Sequence, residues 1–134
     1  MSDYELSDAV GSLSDYSSAT GTLWGIYAAA TFAASGFGIT MGDRFTFGIA
    51  AFLTAGFLAF AIGHFSFVWH HVKVQGIMSS EVLDYLEKDP CPTAFPLSVR
   101  AACRPDNKMA AVTITHIVID LCVLLIIWSM AKYV

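Results

Sequence analysis

Three long apolar runs alternate with polar stretches along the chain. They are residues 21–41 (GTLWGIYAAATFAASGFGITM), 45–69 (FTFGIAAFLTAGFLAFAIGHFSFVW) and 109–131 (MAAVTITHIVIDLCVLLIIWSMA). At about 1.5 Å per residue, each is long enough to cross a hydrocarbon layer of about 30 Å. The pattern predicts an all-α integral membrane protein with three transmembrane helices. Gly42-Asp43-Arg44 is a tight polar turn, which makes the first two spans an antiparallel hairpin to which the third is added.

Both hairpin spans carry small residues at every fourth position: Gly21, Gly25, Ala29 and Ala33 in the first, Ala51, Ala55, Ala59 and Gly63 in the second. Such stripes let helices approach closely, so the two are expected to pack against each other. Trp24 and Tyr27, near the start of the first run, are read as interfacial aromatics.

The polar segments have some organisation of their own. In residues 1–20, Ser2-Asp3-Tyr4-Glu5 fits a capping box, and Leu6, Val10 and Leu13 follow at helical spacing. The segment reads either as an amphipathic helix on the membrane surface or as an acidic tail. Residues 72–108 form the one sizeable extramembrane loop. Ser79 or Ser80 can cap a short helix over 81–88, with Glu81 in its first turn and Lys88 in its last. Val82, Leu83 and Leu86 give this helix an apolar side for the membrane interface, and Asp89-Pro90 ends it. Cys91 and Cys103 bound the loop that follows, and in an exported loop they pair as a disulfide. Cys122, within the third span, is expected to be a buried, unreactive thiol.

Composition agrees with a membrane protein. The 134 residues are 56% hydrophobic and 13% charged, and mean hydropathy is +0.62. Seven Lys and Arg against eleven Asp and Glu leave a net charge of -4. With no basic cluster or nucleic-acid motif, lipid and other integral membrane subunits are the expected partners, not nucleic acid. The acidic start, without Lys or Arg before the first apolar run, does not read as a cleavable signal.

The same acidic start and the cysteine loop place the N-terminus and residues 72–108 on the outer, non-cytoplasmic side, with Arg44 and Lys132 inside. Against this stand Lys73, Lys88, Arg100, Arg104 and Lys108 in the loop, interleaved with five acids.

Candidate chemistry lies within the spans. His64 and His116 each fall roughly 8–10 Å below the same membrane surface at 1.5 Å per residue. Two imidazoles at one depth can ligate a haem iron from two helices. Phe57, Phe60 and Phe67 share the His64 face and could wall a macrocycle or a quinone. Asp120 lies near the bilayer centre, one turn beyond His116, with Thr113 on the same stripe. A carboxylate at that depth needs a partner. The candidates are His116, a cation on a neighbouring subunit, a proton-exchanging quinol, or a metal held by His64, His116 and Asp120. His70 and His71 sit at the exit of the second span and could add ligands at the mouth of the bundle.

No nucleophile with an adjacent base, phosphate-cradling loop or zinc spacing is present, which argues against a self-contained enzyme. The expected function is that of a small accessory subunit of a multisubunit membrane complex handling electrons, quinones or a small substrate. Its part there is assembly and helix packing. An alternative is a haem b- or quinone-binding membrane anchor with His64 and His116 as axial ligands. In size and span count the chain is similar to the anchors of quinone-linked dehydrogenases, though it has none of their motifs. A holin-like pore-former is a third reading, opposed by the cysteine loop and the lack of a basic C-terminal tail.

Overall fold

The computed structural model describes residues 3–88 and 108–131. They form α1 (Asp3–Met41), a 3-10 turn (Gly42–Arg44), α2 (Phe47–Lys88) and α3 (Lys108–Met130), with no strand among the described residues. All three helices are long and apolar enough to cross a membrane. Cys91 and Cys103, with their expected disulfide, lie outside the described residues.

The turn is sharp because Gly42 takes φ +51, a left-handed conformation that suits a residue without Cβ. The Phe45 N–H then donates to the Gly42 carbonyl at 3.1 Å. From there α2 runs back along α1. The His64 ring reaches the Leu23 carbonyl, Tyr16 packs on His71, and Val82 packs against Ala9, Val10 and Leu13. Residue numbers fall along α2 as they rise along α1, so the two helices run antiparallel.

Two sequence expectations change here. Residues 81–88 are not a separate interfacial helix but the end of α2, which is 42 residues long. Nothing breaks it earlier: after Phe47 no proline occurs before Pro90, and Val68, Val72 and Val82 are buried along its length. The N-terminal segment, likewise, is neither a separate surface helix nor a tail from residue 3 onward. It is the first half of α1, which is 39 residues long. Residues 3–26 precede Tyr27 in α1, whereas only residues 108–115 precede His116, its neighbour in α3. At 1.5 Å per residue, α1 therefore continues about 24 Å beyond the start of α3. The far ends of α1 and α2 form a two-helix stalk with its own apolar contacts at Val10, Leu13, Val82 and Leu83.

At the turn end, Ala34, Phe45, Ala50, Phe57, Ala61, Val123 and Ile127 form an apolar core shared by all three helices. The small-residue stripes are not part of it. All eight residues from Gly21 to Ala33 and from Ala51 to Gly63 in those stripes are exposed, and a Cβ at Gly21, Gly25 or Gly63 would meet nothing within 4 Å. A helix can turn only one face inward. On α1 and α2 that face carries Tyr27, Thr31 and His64, whose polar groups have more to lose in hydrocarbon than alanine or glycine. Cys122 is also exposed, contrary to the expected buried thiol. It is one residue before the buried Val123, which rotates it about 100° away from the core.

Candidate functional site

Above the apolar core, α1, α2 and α3 contribute Tyr27, His64 and His116 to one buried cluster, with exposures of 1%, 6% and 2%. Each helix provides a residue at the same level, and Tyr27 is the central one. Its ring stacks on His64, with centroids 5.0 Å apart and planes at 17°. It also lies 4.2 Å from the His116 ring. The two imidazoles are 5.3 Å apart. Trp24 packs on both Tyr27 and His116, Phe60 stacks on His64, and Phe65 presents an edge-on contact to His116.

The hydrogen bonds link the helices in pairs. The Tyr27 hydroxyl donates to Asp120 Oδ1 at 2.6 Å, joining α1 to α3. It also lies 3.5 Å from the His116 carbonyl, but a hydroxyl has one proton and the shorter contact takes it. His64 Nε2 is 2.8 Å from the Leu23 carbonyl, joining α2 to α1. A carbonyl only accepts, so Nε2 carries the proton. His64 Nδ1 and both ring nitrogens of His116 are buried without a hydrogen-bond partner.

His64 and His116 do come together in one cluster. The partner of Asp120 is Tyr27, however, not His116 one turn away on its own helix. Thr113 donates to the Met109 carbonyl of its own turn at 2.9 Å and does not join the pair. Of the three phenylalanines expected beside His64, Phe60 touches it, Phe57 belongs to the apolar core, and Phe67 is 65% exposed. His70 is exposed, while His71 packs on Tyr16.

Among the described residues no three of His, Cys, Asp or Glu are grouped so as to hold a metal ion, as the two-histidine-one-carboxylate reading requires. Tyr27 holds Asp120 and lies against both imidazoles. A haem between His64 and His116 would have to displace the Tyr27 ring and release His64 Nε2, the usual axial donor, from Leu23.

Sequence reasoning missed Tyr27 as the centre. The signal was there in its depth. Tyr27 is the seventh residue of its run and His116 the eighth of another entered from the same side, and a hydroxyl at that depth needs a partner as an imidazole does.

Asp120 and His116 also line a cleft of about 260 Å³ between α2 and α3, open on the outer face of the bundle, with Ser66 and Thr113 as its other polar residues. Comparison of the chain with known protein families, with curated proteins and with solved structures finds no match.

Proposed function

We propose that the chain is a small integral subunit of a multisubunit membrane complex, and that it acts by packing against neighbouring membrane helices. α1 and α2 enter the bilayer as a hairpin, α3 completes a thin three-helix bundle, and the stalk projects from one membrane surface. The outward position of both small-residue stripes carries this reading. Glycine and alanine at every fourth position cover little lipid but let a second helix approach to backbone contact. Among the described residues, neither stripe is buried in the chain's own interior. The cluster of Tyr27, His64, His116 and Asp120 fixes how far each helix is rotated and therefore which faces remain outside. In a complex whose neighbours handle electrons or quinones, this chain supplies a scaffold. The N-terminus, the stalk and residues 72–108 are assigned to the non-cytoplasmic side, where Cys91 and Cys103 can pair.

The test is isolation of the tagged chain from its own cells in mild detergent, with mass spectrometry of what accompanies it. A fixed set of other integral membrane proteins is expected. Gly25→Leu combined with Ala55→Leu should keep helix content and membrane integration and lose those partners. A chain that isolates alone, or only with copies of itself, refutes the reading, as does a double variant that keeps its partners.

A further inference from the structure

We infer that one anionic phospholipid binds along the outside of the bundle, with its phosphate on Lys73 and an acyl chain in the cleft between α2 and α3. The inference rests on the membrane placement proposed above but not on the subunit role.

From Phe47 to Ser80, α2 carries a single charged side chain, Lys73. It is exposed, and no ion pair engages it among the described residues. At 100° per residue, Ile62, Phe65, Trp69 and Lys73 fall within about 80° of one another around α2. The first two line the cleft with Ser66, and the Trp69 ring packs on Phe65 at 5.6 Å. Trp69 and Lys73 therefore continue the cleft wall upward. His70, also exposed, is three residues from Lys73 and neighbours it on the helix surface.

The heights fit a lipid. Lys73 is nine residues past His64 and Lys108 eight before His116, and those two rings are 5.3 Å apart. Lys73 thus stands about level with the start of α3, where Lys108 adds a second positive charge. Ile62 lies eleven residues below Lys73, about 16 Å at 1.5 Å per residue. Half of a hydrocarbon layer of about 30 Å is about 15 Å, so a chain whose head meets Lys73 reaches Ile62 within one leaflet. The walls suit it. Ile62 and Ile117 are 68% and 54% exposed, Ser66 and Thr113 donate their hydroxyl protons to their own helices, and Asp120 is held by Tyr27. The cleft, about 260 Å³ and open to the side, takes part of one chain and leaves the rest among bulk lipid. The head must be anionic because the groups at its level are cationic. Asp15 on α1 is at a similar height, but no ion pair joins it to Lys73. With a net charge of -4, the chain as a whole does not attract anionic lipid, so any preference is local to this site.

The test titrates the full chain, in a non-ionic detergent, with equimolar dioleoylphosphatidylglycerol and dioleoylphosphatidylcholine and counts retained lipid by native mass spectrometry. Saturable retention of phosphatidylglycerol is expected, about fivefold or more tighter than phosphatidylcholine. Lys73→Gln should weaken it about fivefold, whereas Lys88→Gln, an equal change of charge at the far end of α2, should leave it unchanged. Ile117→Trp, which fills the cleft from its rim, should weaken retention by a similar factor at unchanged helix content. Glycerol phosphate, the head without its chains, should not compete at the lipid's concentration. Equal retention of the two lipids, equal effects of Lys73→Gln and Lys88→Gln, indifference to Ile117→Trp, or competition by glycerol phosphate each overturn the inference. Co-isolation with partners bears on the subunit role alone, so the two proposals fail separately.

Discussion

Replacing Tyr27 by Phe keeps the ring that packs between His64 and His116 and removes only the hydroxyl. Asp120 then loses its 2.6 Å partner in the middle of a helix long and apolar enough to cross a membrane. In water-soluble proteins a hydrogen bond to a charged group contributes about 1.5–3 kcal/mol. Between membrane helices the measured average is nearer 0.6 kcal/mol, with values up to about 1.7. The short distance and the lack of another described donor to Asp120 place this bond at the upper end of the membrane range. A loss of about 1–2 kcal/mol is expected, roughly a five- to thirtyfold shift in the folding equilibrium.

The assay is reversible unfolding of the purified chain in mixed micelles, followed by circular dichroism as the denaturing detergent fraction rises. Because the single variant also leaves a carboxylate unpaired, the cycle Tyr27→Phe, Asp120→Leu and the double variant isolates the pair. A coupling of about 1 kcal/mol or more is expected. A coupling indistinguishable from zero would refute the idea that this bond ties α1 to α3.

The other expectations are briefer. His64→Leu removes the ring N–H held by the Leu23 carbonyl and should cost about 1 kcal/mol in the same assay; no loss would mean that this contact is not made in the membrane. Val82→Asp puts a carboxylate into the stalk contact with Val10 and Leu13, where Val82 is 2% exposed. It should abolish hydrogen-exchange protection over residues 3–20 while the three spans stay inserted, and unchanged protection there would mean the stalk helices are stable apart. Gly38→Ala directs a methyl at the end of the Met130 side chain. That end is flexible, so a change below about 1 kcal/mol is expected, and a larger loss would show Met130 to be fixed in place.

The three apolar helices were readable because their cause is local. Twenty or more apolar residues in a row have few stable alternatives to a membrane helix, and 109–131 in the sequence matches Lys108–Met130 in the fold. The meeting of His64 and His116 could be anticipated by counting residues inward from each apolar boundary. Helix rotation was harder to read. The four-residue spacing of Gly25 and Ala29 describes a stripe but does not say what it faces, and the requirement to bury Tyr27, Thr31 and His64 overrode it. The partner of Asp120 lies 93 residues away, on another helix, and no local pattern names it. Helix ends were missed where polar residues suggested a break: His70 to Ser80 looks like the start of a loop, yet the apolar positions Val72 and Val82 keep helical phase with the span.

The uninterrupted length of α1 and α2 has a mechanical consequence. An unbroken helix is stiff over such distances, so a rotation imposed at one end reaches the other nearly undiminished. With about 24 Å of helix standing clear of α3, a change in tilt of about 10° within the bilayer carries the stalk tip sideways by roughly 4 Å. That is enough to break or make a side-chain contact. A neighbour bound at the tip would register how the spans lean, and a load applied there would act as a torque on the spans at Tyr27.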